Sequence, residues 1–188
     1  MRMAHDSTQF LYVSTYFIQY DVFGIPFLDA LRESSRRGVR VTLLIDDFGQ
    51  SLASNLMSRD ERARLKRTFE QLRASGVHLV FYRCPRRLQR LLGSGMHIKI
   101  QLSDLGGAVF SSSNISSTSF ERWQEFGVYV EGDIVLRLLE DFQTLGVKLP
   151  AAHRSVLTAR AQKASTTQWL GYSSAHPSHD DHWLNPLL

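Results

Sequence analysis

The stretch MHIKIQLSDLGGAVFSSSN (Met96–Asn114) holds two short runs joined at Gly106-Gly107. Side chains alternate between the two faces of a strand. In MHIKIQLS, His97, Lys99 and Gln101 therefore share one side, while Ile98, Ile100 and Leu102 share the other. The apolar side is predicted to join a core, and the polar side is left for chemistry. The two glycines after Asp104 favour a tight turn, which predicts a hairpin returning as AVFSSS. That return brings Ser111, Ser112, Ser113 and Asn114 beside the imidazole and the amine, so a hydroxyl and an amide NH2 can be aimed at the same oxygens. An imidazole attacks an electrophile, and an ammonium holds that electrophile's negative oxygens. Phosphate is the group such a pair fits.

Toward the amino terminus, Gln9–Ile18 (QFLYVSTYFI) is rich in β-branched and aromatic residues and reads as a buried strand. FGIPFLDALRESSRRG then takes helical spacing, with Ile25, Leu28 and Leu31 on one stripe and Gly38 as the stop. VRVTLLID (Val39–Asp46) is a second strand, ending in the turn residues DDFGQ. A capping box at Ser58-Arg59-Asp60-Glu61 opens a helix whose Leu65, Phe69 and Leu72 share a face, and VHLVFY (Val77–Tyr82) is a third strand. Strand–helix alternation of this kind predicts an α/β domain with a mixed, mostly parallel sheet flanked by helices. Beyond the hairpin, FGVYVEG (Phe126–Gly132) is a further strand. Asp133–Leu145 is a helix with Ile134, Leu138, Phe142 and Leu145 at core spacing. The periodicity fades after Gly146, so residues 1–149 are expected to form the domain and 150–188 a linker or the start of a following unit.

Composition narrows the function classes. With 188 residues, 43% of them hydrophobic, the chain is long enough for one well-filled core, which excludes disordered and disulfide-scaffold classes. The single cysteine, Cys84, cannot form an internal disulfide, which fits a reducing compartment. No apolar run approaches the roughly 20 residues a bilayer crossing needs, so a soluble or peripheral protein is expected. The net charge of +4 is modest, but its distribution is not even. Between Glu70 and Asp104 no acidic residue interrupts Arg73, Arg83, Arg86, Arg87, Arg90 and Lys99. Leu88, Leu91 and Leu92 interleave with the central arginines, a pattern that suits either an interfacial segment on anionic lipid or an amphipathic surface helix.

His97-x-Lys99-x4-Asp104, followed by the turn Ser111-Ser112-x-Asn114, resembles the HKD motif and trailing Gly-Ser-x-Asn of the phospholipase D superfamily. Composition alone would produce the three-residue part about 0.01 times in a chain of this length. The resemblance covers roughly residues 9–145 and is narrowest to the amino-terminal half of bacterial cardiolipin synthases. It is carried by FLYVSTYFI, RRGVRVTLLIDDFG, LRASGVHLVFYR and the acidic residue in Trp123-Gln124-Glu125. It implies His97 as nucleophile or acid, with Lys99, Ser112 and Asn114 binding phosphate oxygens. By the same resemblance Glu125 orients the imidazole, and Asp104 is the motif aspartate, used for support. Neither a metal nor another cofactor is implied. Ser111 stands where the motif has glycine, which is expected to narrow the pocket or strain the turn; Gln50 and Met96 depart from the family's usual residues, and the chain begins almost at its first strand, without a preceding helix.

Family chemistry uses two motifs, one histidine forming a phosphohistidine while the other handles protons for the leaving and accepting alcohols. This sequence holds one. A complete site is expected from a symmetric homodimer or from a second half following Leu188, and the final HWLNPLL resembles the lead-in to such a half. The resulting expectation is a phosphatidyltransferase or phospholipase D-type enzyme acting on anionic phospholipid at a membrane surface. A homodimeric, metal-independent phosphodiesterase on nucleic acid and a non-catalytic half-domain are the alternatives. HPSHDDHW (His176–Trp183) is read as a polar linker rather than a zinc site, and Asp46-Asp47 as a structural turn rather than a magnesium pair.

Overall fold

The structure is a computed structural model that describes residues 2–86, 88 and 95–162, and the backbone of 167–173. Helix α1 (Arg2–Asp6) precedes β1 (Phe10–Thr15), so a short helix does stand ahead of the first strand, held by buried Met3 and Ala4. Then follow α2 (Gly24–Arg36), β2 (Arg40–Asp46), α3 (Asp47–Ser54), α4 (Arg59–Ala74) and β3 (His78–Tyr82). The second part comprises β4 (Ile100–Ser103), β5 (Gly107–Ser111), one π-helical turn (Thr118–Arg122), β6 (Gln124–Glu131), α5 (Asp133–Thr144), α6 (Ala151–Ala161) and β7 (Thr167–Ser173).

All seven strands form one sheet in the order β3-β2-β1-β4-β5-β6-β7. Strands β1, β2 and β3 run parallel, whereas β4 pairs antiparallel with β1, and every pairing from there to β7 is antiparallel. The sheet is therefore mixed, but its parallel part is confined to three strands. The early strand–helix alternation does not continue past β3, and the β4–β5 hairpin can only create antiparallel neighbours. Its turn is made by Gly106, whose φ of 91° suits a residue without Cβ.

Alternation along β1 divides the core. Leu11 and Val13 join a cluster with Phe27, Leu28, Leu31, Leu65, Phe69 and Leu72 from α2 and α4. Phe10 and Tyr12 face the other way, toward Val135, Leu139 and Phe142 of α5 and Leu157 of α6. On α4 the Ser58–Glu61 capping box is complete, the Ser58 hydroxyl accepting from the Glu61 N–H and the Glu61 carboxylate from the Ser58 N–H.

Three expectations are corrected. DDFGQ is the first turn of α3, not a turn between strands, because the Asp46 carboxylate caps it by accepting from the Gly49 N–H. On α5 the buried stripe is Val135, Leu139 and Phe142, while Ile134 is 46% exposed. That helix carries two overlapping apolar stripes, and the sheet covers the one at i, i+4, i+7. Residues 151–161 are not a linker: Leu157 and Ala161 are buried, and His153 stacks on Phe10 at 4.1 Å while its Nδ1 lies 2.7 Å from the Tyr12 hydroxyl. The backbone of 167–173 extends the sheet beside β6, and the HPSHDDHW stretch lies outside the described residues.

Asp104, at the carboxyl end of β4, is buried at the sheet edge where β1 begins. Its carboxylate accepts from the Thr8 N–H, the Thr8 hydroxyl and the Phe10 N–H at 3.1, 2.8 and 3.3 Å. Asp104→Ala leaves those donors without their acceptor and is expected to lower unfolding stability by about 2–4 kcal/mol, read from the urea midpoint at unchanged m-value.

Candidate active site

Since β4 runs opposite to β1, the approach to β4 lies beside the carboxyl ends of β1 and β2. The carboxyl end of β5 and the amino end of β6 share that edge. His97, Lys99, Ser112, Asn114 and Glu125 all belong to these segments. Asp104 does not, because five residues of extended chain separate it from Lys99 by roughly 16 Å. Its place is that of a strand anchor at the opposite edge.

The regular strand expected from Met96 begins only at Ile100. Pairing with β1 ends at Ser14–Ile100, where the Ile100 N–H is taken by the Ser14 hydroxyl at 3.1 Å. Alternation nevertheless survives in the lead-in. The Lys99 Nζ lies 3.1 Å from His97 Nδ1, 3.4 Å from Nε2 and 3.2 Å from the His97 carbonyl oxygen. Ile98, expected in the core, is 39% exposed. The Ser111 N–H donates to the Lys99 carbonyl at 3.0 Å. No strain accompanies Ser111, since no non-glycine residue among those described has positive φ.

Lys99 is only 6% exposed. Burial pushes its ammonium down to about 8, against the upward pull of the Glu125 carboxylate. Burial and then the Lys99 charge also hold the His97 imidazole below its ordinary range, while Asp46 and Glu125 pull the other way. Two effects thus converge on a neutral imidazole beside a weakly held ammonium, the protonation that nucleophilic attack on an anionic centre requires.

Glu125 reaches the imidazole through charge. No hydrogen bond joins the two among the described residues, and the carboxylate's Oε2 instead receives the Ser112 hydroxyl. That hydroxyl also accepts from the Phe126 N–H at 3.0 Å, so Ser112, expected on phosphate, is committed to Glu125. The Glu125 Oε1 and the Asn114 Oδ1 are buried without hydrogen-bond partners among the described residues. A half-turn of the Asn114 amide would put an NH2 donor where its Oδ1 now lies.

Sequence reasoning missed how Asp46 fixes this edge. The residue is 1% exposed, and its Oδ2 accepts from the Met96 N–H at 2.6 Å while Oδ1 accepts from the Gly49 N–H at 2.7 Å. One carboxylate thereby ties the end of β2 to the residue before His97. A Cβ at Gly95 would lie 2.6 Å from Asp46 Oδ2, so the approach of the two segments requires glycine. Asp47 instead pairs with Arg83 at 2.8 Å on the surface, and Gln50 bonds both the N–H and the carbonyl of Ile18, at 3.0 and 2.9 Å. Among the described residues, no three His, Cys, Asp or Glu side chains gather as a metal would require. No helix among them is long and apolar enough to cross a membrane. Leu88 is 71% exposed and Arg86 is exposed, whereas Arg87, Arg90, Leu91 and Leu92 lie outside the described residues.

A family model described as cardiolipin synthase, PLD-like domain, matches residues 1–145. No curated protein matches the chain. Similar solved structures include Nuc, a phospholipase D family member from Salmonella typhimurium, at 17% identity and a TM-score of 0.56, over 76% of this chain and 80% of that one. NucT from Helicobacter pylori is similar at 14% identity and a TM-score of 0.52, over 76% and 81% of the two chains. Phosphatidylserine synthase from Haemophilus influenzae Rd KW20 is similar at 14% identity and a TM-score of 0.55. That alignment covers 91% of this chain but only 42% of the synthase, so this chain spans less than half its length. At these identities the likeness is one of fold.

Replacing Asp46 by Asn sets an NH2 against one of two backbone donors and removes a negative charge near the imidazole. Asp46→Asn is expected to cost about 1–3 kcal/mol of stability and to move the His97 pKa further down, read by urea unfolding and by NMR titration of the ring.

Proposed function

Because the chain belongs to the PLD-like domain family of cardiolipin synthases, we propose that it forms one half of a phosphodiester-transferring site whose substrate is an anionic phospholipid. The observation that carries this reading is the contact between Lys99 Nζ and His97 Nδ1 at the sheet edge where β1, β4, β5 and β6 meet. The match of the family model over residues 1–145 directs it toward lipid.

In this reading the ammonium exchanges the imidazole for a phosphate oxygen when the diester enters. A neutral His97 nitrogen then forms a bond to phosphorus as the bond to the leaving alcohol breaks. The departing oxygen takes a proton from the imidazole of a second motif, supplied by another copy of the chain or by a further half. That imidazole next accepts the proton of the incoming alcohol or water, which displaces His97 from phosphorus. Lys99 and a turned Asn114 amide hold the phosphate oxygens, while Glu125 favours the imidazolium character that develops on His97. The setting proposed is peripheral, on the cytoplasmic side of a membrane.

Nucleic acid is the second reading, favoured by the acid-free cationic run that includes exposed Arg83 and Arg86. There the same two side chains would act on a backbone diester, and binding would weaken steeply with salt.

Incubating the full chain with phosphatidylglycerol vesicles and quenching in denaturant at neutral pH, where the acid-labile P–N bond survives, is expected to leave a phosphatidyl adduct on His97, detected by intact mass and peptide mapping at neutral pH and absent from His97→Ala. Plasmid nicking without lipid turnover would reverse the order of the two readings, and neither activity in a dimeric preparation would remove both. For kcat/KM, the rate should rise as the imidazole loses its proton below its ordinary range. It should then fall as Lys99 loses its own near 8, the apparent values belonging to the coupled site.

A further inference from the structure

Tyr16 follows directly on the last residue of β1 and touches both members of the reacting pair. Its ring centroid lies 4.6 Å from that of His97 at an interplanar angle of 57°, and the Lys99 Nζ is 5.8 Å from the same centroid. The ring also meets the start of α3, where a Cβ at Gly49 would stand 2.5 Å from Tyr16 Cδ2 and Cε2 and 2.6 Å from its carbonyl oxygen. Only a glycine lets the ring lie so close to the helix.

Both neighbours of the ring are set by one group. Asp46 holds the Gly49 N–H with one oxygen and the Met96 N–H, adjacent to His97, with the other. The chain two residues after Tyr16 is pinned in turn by the paired hydrogen bonds between Ile18 and Gln50. The aromatic ring therefore packs against two groups, the α3 backbone and the imidazole, whose chain segments one carboxylate holds in place. A loosely held imidazole would have two rotatable bonds to order before attack, whereas a ring wall removes that freedom in advance.

We propose that Tyr16 is a positioning residue for His97: its ring sets where the imidazole stands and excludes water from one side of the His97–Lys99 pair. This rests on the phosphohistidine reading above, with Tyr16 acting through His97 and not on the diester itself. The ring is the working part. Its hydroxyl has no assigned role.

The test compares Tyr16→Leu and Tyr16→Phe in the full chain, by NMR titration of the His97 ring without substrate and by turnover of bis(4-nitrophenyl) phosphate. Tyr16→Leu is expected to move the imidazole pKa up toward its ordinary value, as water reaches the ring. It should also lower kcat about 10- to 100-fold with KM within about twofold. Tyr16→Phe should restore both. Gly49→Ala, which drives a methyl group into the ring from the helix side, should act like Tyr16→Leu and covers the case in which that variant fails to fold. A His97 titration unmoved in both Tyr16→Leu and Gly49→Ala overturns the inference, as does a Tyr16→Phe variant as impaired as Tyr16→Leu. A wild-type chain that titrates as described yet never carries label on His97 overturns the phosphohistidine reading instead.

Discussion

Strand β1 has a parallel neighbour on one side and an antiparallel neighbour on the other, with all six of its residues buried. The rest of the site depends on that asymmetry. Parallel pairing with β2 brings two carboxyl ends to one edge, and so places Tyr16 near the Asp46 cap of α3. Antiparallel pairing with β4 directs the preceding residues, His97 and Lys99, to the same edge. Had β4 run parallel, this edge would hold Asp104 and the pair would sit at the far end. Ligands in open α/β sheets gather where strand order changes direction, and here the change occurs at β1.

Burial and charge oppose one another at this edge, and burial wins. The Glu125 carboxylate favours a charged Lys99, yet the ammonium is still lowered to about 8. No ion pair joins Lys99 to Glu125 within hydrogen-bonding range among the described residues. The carboxylate is kept back by Ser112, which occupies one of its oxygens. An amine held without a close counter-ion retains its attraction for an incoming anion, while a direct salt bridge would already have satisfied it. Partial burial and the Lys99 charge lower His97 as well, and in the proposed reading this keeps the attacking imidazole from competing as a cation.

Features made by neighbours in sequence were legible. The apolar run of β1, the capping box of α4, the glycine turn between β4 and β5 and the pairing of His97 with Lys99 each depend on residues a few positions apart. The features that escaped depend on distant contacts. Asp46-Asp47 reads as a turn until Met96, fifty residues on, donates to the same carboxylate that caps α3. The segment after Pro150 has weak periodicity because its fixed points are few: His153 against Phe10 and Tyr12, and Leu157 in the core. On α5, periodicity offered two stripes and only the sheet chose between them. Asp104 was legible as a motif residue, but its distance from the reacting pair follows from strand length, which a spacing pattern does not convey.

The proposed reading also accounts for an imbalance at this edge. His97 and Lys99 both lie below their ordinary proton affinities, whereas one oxygen of Glu125 is buried without a donor among the described residues. Cationic groups that burial penalises and acceptors that lack protons are two halves of one imbalance, and a ligand that relieves both must bring negative oxygens and donor groups together. In the proposed reading a diester answers the first requirement, and a second imidazole, cycling between its protonated and neutral forms, or an alcohol answers the second. Anion binding must then raise the proton affinity of Lys99, because the charged amine is the form the anion prefers. By linkage an anion-bound site takes up at Lys99 the protons that the free amine has released above about 8, while the same anion also raises the proton affinity of His97.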